Sequence, residues 1–185
     1  AVAGEPGIFF SFEETEDRLR AAARGLGWNL DREIERGMLE IVFIPQPEIR
    51  VDADLALMHE RIVARGARRV VIDSVSVFLH KITDPQLCRE KIYQLCGIVQ
   101  RAHAVGLFPT DIPYGATQIS RFGVEETVVD GVILLRSVEE GLERQRYIEV
   151  YKLRDSAHLK GLHYMAIGPG GVSVFPRYGI DSPGP

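Results

Sequence analysis

The sequence predicts an α/β fold: a mostly parallel sheet flanked by helices, with antiparallel strands and hairpins toward the C-terminus. Three observations carry this expectation. Short apolar runs alternate with helical stretches through the first two thirds of the chain, the pattern of a parallel sheet covered on both faces. After Gly131 four strands follow one another with no helix long enough to cross between them, so they pair as antiparallel hairpins. The chain has 185 residues, 45% hydrophobic and 26% charged, enough to bury roughly 70% of its unfolded surface without a disulfide or metal.

Taken in order, Gly7 to Phe12 is a buried strand after Glu-Pro-Gly, and Glu14 to Leu26 a helix with acidic residues in its first turn. Gly25 and Gly27 end that helix, and Leu30 to Arg36 forms a short one stopped at Gly37. Leu39 to Ile44 is a strand closed by Pro45-Gln46-Pro47. Asp54 to Arg65 carries Leu55, Met58, Ile62 and Val63 at helical spacing, and Arg69 to Ile72 is a β-branched strand that hands over to Asp73. Pro85 to Val105 is the longest helical stretch, its apolar stripe made by Leu87, Ile92, Leu95, Ile98 and Val99. Leu107 to Thr110 reads as a brief strand and Asp111 to Gly123 as a polar loop. Val132 to Arg136, Tyr147 to Leu153, Tyr164 to Ile167 and Val172 to Phe175 are the antiparallel strands, expected to extend the parallel sheet at one edge, with Gly168-Pro169-Gly170-Gly171 a turn between the last two.

Composition narrows the function classes. The basic residues number 22 against 26 acidic, a net charge of −4, which gives no polyanion-binding surface as a whole. No apolar run reaches the roughly 20 residues of a membrane-spanning helix, and the N-terminus lacks the order of a signal peptide, so the chain reads as soluble and cytoplasmic. Cys88 and Cys96 have neither metal-ligand nor redox spacing and read as reduced thiols on or near one helix.

Open α/β sheets bind ligands at the carboxyl ends of their strands, and two acidic features fall there. Asp73 follows an apolar strand directly, as does a carboxylate delivered to a Mg²⁺ shell beside phosphates; a helix cap or turn former, a role Ser74 can share, is the other reading. Glu13 and Glu14 follow Phe12; strand alternation points one into the cleft, while both also favour the positive end of the next helix. Lys152 and Arg154 flank Leu153 at the end of a strand, expected on one side, and fit either anion contact or a solvated edge that deters aggregation. His158 and His163, read as loop residues, have no zinc spacing, and His59, His80 and His103 read as surface or half-buried polar residues.

Together these segments resemble the KaiC family of RecA-like ATPases from Gly4 to about Phe175. The resemblance rests on Gly4-Glu5-Pro6-Gly7, Phe12-Glu13-Glu14-Thr15, Gly27-Trp28, Arg68 to Ser74, Arg121-Phe122-Gly123-Val124-Glu125-Glu126, and Lys152-Leu153-Arg154 with His158 and Lys160-Gly161. It implies a RecA-like domain over residues 1–178, followed by a tail or linker over 179–185. It also implies a homohexameric ring holding ATP and Mg²⁺ between subunits. By that resemblance Glu13 and Glu14 polarise the attacking water or accept a hydroxyl proton, and Asp73 is the Walker-B-type acid near Mg²⁺. Lys152, Leu153, Arg154, Ser156 and His158 reach the nucleotide of the neighbouring subunit, with Lys152 and Arg154 as trans fingers worth about 10³ or more in rate. Thr127 aligns with a phosphorylated threonine of the family's second domain, which makes it a candidate phosphosite beside its plain reading as a helix-end residue.

The sequence also departs from the family. Asp155 stands where glycine is usual, and Gly25 and Gly168-Pro169 replace polar residues that often touch nucleotide. A phosphate loop needs Gly-x-x-x-x-Gly-Lys-Ser/Thr, yet none of the four lysines follows a glycine, so the loop is expected upstream of Gly4 in a truncated chain. The leading expectation is therefore an ATP-hydrolysing ring subunit that signals by conformational change, with Ser/Thr autophosphorylation and regulatory protein partners. A non-catalytic RecA-like assembly module is the alternative from a different class. Recombinase-like DNA binding shares the fold but gains nothing from the acidic balance.

Overall fold

The computed structural model describes residues 4–113 and 118–177, and the chain divides into two compact units, Ala1–Val128 and Val129–Pro185. The first is the parallel α/β unit. Its strands are β1 (Gly7–Ser11), β2 (Leu39–Phe43), β3 (Arg69–Asp73) and β4 (Val105–Leu107), in the order β2-β1-β3-β4. All three ladders are parallel, with Gly7 opposite both Leu39 and Arg69. The helices are α1 (Glu16–Gly25), α2 (Leu30–Glu35), α3 (Val51–Arg65), α4 (Val75–Phe78), α5 (Pro85–Arg101) and α6 (Glu125–Val128).

A continuous core fills this unit. Phe10, Met58 and Phe78 are wholly excluded from water, and Ile8, Phe12, Ile62, Val70, Ile72 and Leu95 nearly so. Each such side chain contributes about 1.5–3 kcal/mol. Two members of the expected apolar stripes face outward instead: Val63 is exposed on α3, and Leu87 gives its place on α5 to the buried Cys88. The smaller thiol fits because its Sγ reaches the Ile82 carbonyl at 3.6 Å.

Several element boundaries differ from those expected, each for an identifiable reason. α3 begins at Val51, earlier than Asp54, because the Asp54 carboxylate accepts the Arg50 amide at 2.8 Å and secures the first turn. α5 ends at Arg101, not Val105, because His103 adopts a left-handed φ of 51° and its neighbour Ala104 donates to the Val99 carbonyl, closing the helix end. That frees Val105 to start β4, whereas Pro109, which has no amide to give a ladder, lies beyond it; its carbonyl accepts the Val75 amide at 3.0 Å.

The second unit is antiparallel: β5 (Gly131–Glu140), β6 (Glu143–Leu153), β7 (His163–Gly168) and β8 (Gly171–Phe175), in that order. Its strands make a sheet of their own rather than extending the ladders of the parallel one, among the described residues. The first hairpin runs further than its apolar core because Glu139 pairs across the ladder with Arg144, and Gly141, at φ 66°, turns the chain. His163, expected in a loop, instead starts β7 and is buried, its Nδ1 accepting the Arg177 amide at 2.9 Å. The expected tail at 179–185 and part of the polar loop, 114–117, lie outside the described residues.

Candidate functional site

Acidic groups gather at the carboxyl edge of the parallel sheet. Ser11 and Asp73 are register partners at the ends of β1 and β3, and the Phe12 amide donates to the Asp73 carbonyl at 3.1 Å. The buried Ser11 hydroxyl donates to the Glu14 carbonyl at 2.7 Å and accepts the Glu14 amide at 3.2 Å. This turn presents Glu13 and Glu14 together: both line a cleft of about 470 Å³ with Ser11, Arg18 and Asp73. The expectation that alternation turns one glutamate away is corrected, because the chain leaves the strand at Ser11 and period-2 alternation stops there. α1 starts only at Glu16, so neither glutamate lies within its first turn.

Asp73 and Ser74 divide two roles that the sequence leaves shared. The Ser74 hydroxyl caps α4 by accepting the Val77 amide at 3.3 Å, which leaves the Asp73 carboxyl for the cleft. Burial raises that carboxyl above its ordinary value, and the negative charges of Asp111 and Glu14 raise it further. Asp111 is fixed by its amide donating to the buried Ser76 hydroxyl at 2.8 Å. These hard oxygens, short of positive charge, fit a magnesium ion. No group of three or more His, Cys, Asp or Glu among the described residues forms a self-contained cage. The fit is therefore to Mg²⁺ carried by one or two carboxylates together with substrate phosphates.

In the antiparallel unit, Lys152 and Arg154 are both fastened to the residues just ahead of β5. Lys152 Nζ donates to the Val129 carbonyl at 2.7 Å; the Arg154 amide donates to the Asp130 carbonyl at 2.9 Å and its guanidinium meets the Asp130 carboxylate at 3.2 Å. Arg154 lies past the end of β6, beside Asp155 with its left-handed φ of 54°, so strand alternation does not extend to it. Leu153 is exposed; the Ser156 hydroxyl donates to the Ala157 carbonyl, and His158 Nδ1 lies 3.4 Å from the Ser156 carbonyl.

Thr127 sits in the single turn α6. Its hydroxyl donates to the Val124 carbonyl at 2.7 Å and accepts a hydrogen bond from the Arg89 guanidinium on α5. Glu125, which the sequence shows only as one residue of a motif, holds the turn before α6 in place. Its buried carboxylate accepts the amides of Arg121, Phe122 and Val124, each at 3.1 Å, while Glu126 takes the Ser120 hydroxyl.

Sequence reasoning missed three residues at the cleft. Asp111 shortly follows β4 as Asp73 ends β3, a repeated strand-then-acid signal hidden by reading 111–123 as featureless loop. Arg18, in the first turn of α1, reaches back to Glu14 just ahead of the helix at 3.4 Å. Ser11 carries no signal beyond its place before the paired glutamates. His59, His80 and His103 are exposed, as expected.

Comparison with known proteins agrees with the fold. The family model for the KaiC ATPase matches residues 1–179. The circadian clock oscillator protein KaiC of Parathermosynechococcus lividus is 36% identical over 180 residues, covering 93% of this chain and 33% of that protein. That of Synechococcus elongatus is 35% identical, with 93% and 35% coverage. The chain thus spans about a third of the length of the curated relatives it matches. The crystal structure of a KaiC-like protein from the hyperthermophilic archaeon Pyrococcus horikoshii superposes with a TM-score of 0.83 at 30% identity, covering 94% of this chain and 77% of that one.

Proposed function

The chain belongs to the KaiC family of ATPases, and from that premise we propose that residues 1–178 serve as an ATPase domain whose turnover drives conformational signalling. The observation that carries this reading is the cleft at the carboxyl edge of the sheet, where Glu13, Glu14 and Asp73 converge beside Arg18. Asp73 holds Mg²⁺ jointly with the phosphates. When bound, that ion neutralises charge on the transferring phosphoryl group and polarises it. Glu13 and Glu14 orient the attacking water and accept its proton, Glu14 from a backbone that Ser11 fixes at both amide and carbonyl.

The same proposal extends to assembly. In a homohexameric, cytoplasmic ring, Lys152 and Arg154 stabilise charge on the neighbour's γ-phosphate, with Leu153, Ser156 and His158 beside the nucleotide. Among the described residues no helix is long and apolar enough to cross a membrane. Thr127 is the proposed acceptor for autophosphorylation; its hydroxyl must first leave Val124 and Arg89. Phosphopeptide mapping after incubation with ATP tests this, and an unmodified Thr127 removes it.

The experiment for the central reading is ATP hydrolysis and Mg·ATP binding by the wild type and Asp73→Asn. The variant is expected to lose at least about 10²-fold in turnover; unchanged turnover refutes the assignment. A second reading, from a different class, is a non-catalytic assembly module that uses the same fold as a docking surface. Self-association without nucleotide binding distinguishes it.

A further inference from the structure

Ser11 ends β1 between two neighbouring strands and is buried, yet it carries a hydroxyl. Its backbone is committed on both sides: its carbonyl accepts the Ile44 amide at 2.9 Å, and it is the register partner of Asp73 on β3. The hydroxyl serves neither neighbour. It donates to the Glu14 carbonyl at 2.7 Å and accepts the Glu14 amide at 3.2 Å. It does not serve α1 either, which begins at Glu16 with Thr15 as its N-cap. The two bonds fold Glu13 and Glu14 back over the strand end, into the cleft they share with Asp73. Charge alone opposes that placement, because after burial and Asp111 the Glu14 charge also raises the Asp73 carboxyl, and like charges repel. Arg18, which pairs with Glu14 at 3.4 Å, has a side chain 72% exposed and offsets little of this.

From this geometry we infer that Ser11 is a positioning residue: its hydroxyl holds Glu14 beside Asp73 against their mutual repulsion, and ATP turnover depends on that hold while nucleotide affinity does not. The inference rests on the reading of this cleft as the hydrolytic site, with Glu14 accepting the proton of the attacking water, and adds the residue that fixes where that base sits. Ser11 acts through the Glu14 backbone, so its loss leaves every charge of the cleft present and moves only one of them. Misplacing a reacting group by about 1 Å costs about 10²-fold in rate. Alanine removes the hydroxyl and little else, whereas threonine keeps it, so the two substitutions separate the hydroxyl from the packing around it.

Steady-state hydrolysis and calorimetric titration of Mg·ATP into the full chain test this, with wild type, Ser11→Ala, Ser11→Thr, Glu14→Gln and Ser11→Ala combined with Glu14→Gln. Ser11→Ala is expected to lose about 10- to 100-fold in kcat while its Mg·ATP dissociation constant stays within about threefold of wild type. Ser11→Thr recovers most of the loss. In the Glu14→Gln background Ser11→Ala costs less than about threefold more, because it acts through that residue. Two readouts need no nucleotide: the Glu14 amide exchanges faster in Ser11→Ala, and the Asp73 carboxyl, followed by carbon NMR, titrates lower as Glu14 withdraws, with burial and Asp111 still raising it. Wild-type kcat in Ser11→Ala, equal losses in kcat and affinity, Ser11→Thr as slow as Ser11→Ala at an unchanged urea midpoint, or a fully additive loss in the double variant overturns the inference and leaves the site reading standing. A wild type that neither binds nor hydrolyses Mg·ATP overturns the site reading and the claim on turnover together. Unchanged Glu14 exchange and Asp73 titration in Ser11→Ala overturn the hold itself, whatever the activity.

Discussion

Replacing Glu125 by alanine should unfasten the segment from Ser120 to Val128. In the folded chain one buried carboxylate receives three backbone amides at 3.1 Å, those of Arg121, Phe122 and Val124. A hydrogen bond to a charged group contributes roughly 1.5–3 kcal/mol. The segment is partly exposed, so water recovers much of that once the carboxylate is gone, and the net cost should be about 2–4 kcal/mol. Phe122, Val124 and Val128 pack against the core and loosen with the turn. For a unit of this size about 1 kcal/mol corresponds to roughly 3–6 °C, so the melting temperature should fall by about 6–24 °C. Glu125→Gln keeps one acceptor oxygen and should lose about half as much. Urea unfolding followed by the fluorescence of Trp28, the single tryptophan, supplies the free energy, and amide exchange at 121, 122 and 124 supplies the location. A Glu125→Ala protein within about 0.5 kcal/mol of wild type, with those amides still protected, would refute this account of the motif.

Other outcomes follow from the same contacts. Phe78→Ala removes a fully buried ring stacked on Phe12 at 5.2 Å and should cost about 3–5 kcal/mol in urea unfolding; Mg·ATP affinity should fall too, because Phe12 precedes the paired glutamates. The Asp73 carboxyl is raised in the fold, so its contribution to stability is full below the ordinary value of 3.8 and disappears as pH rises through the raised value. Asp73→Asn should therefore raise the neutral-pH melting temperature of metal-free protein and flatten that part of its pH profile, while losing Mg·ATP; a lower melting temperature contradicts the assignment. In an assembled ring Arg154→Ala should lower hydrolysis about 10³-fold with little change in stability, and mixing it with Asp73→Asn subunits should restore part of the activity, which a cis role would not allow.

The fold was legible because its signals were local and redundant. Apolar runs ending in Phe12, Ile44 and Ile72 marked three parallel strands, and glycine turns marked the hairpins. What escaped depended on side chains finding particular partners. Pairing of Glu139 with Arg144 carries the first hairpin past the point where polarity alone ends it, and a left-handed His103 stops α5 at Arg101, ahead of the expected Val105. At the cleft, Glu13, Glu14 and Asp73 could be named from strand ends alone. Ser11, Arg18 and Asp111 could not, because their importance arises from what the sheet places opposite them.

The central claim is that Mg·ATP occupies the carboxyl edge of the parallel sheet, and paramagnetic broadening tests it most directly. With Mn²⁺ in place of Mg²⁺ and ATP added to the full chain, amide resonances of Ser11 to Arg18, of Asp73 and Ser74, and of Asp111 should broaden first, and Asp73→Asn should abolish the effect. Broadening confined to other residues, or unchanged in Asp73→Asn, would contradict the account.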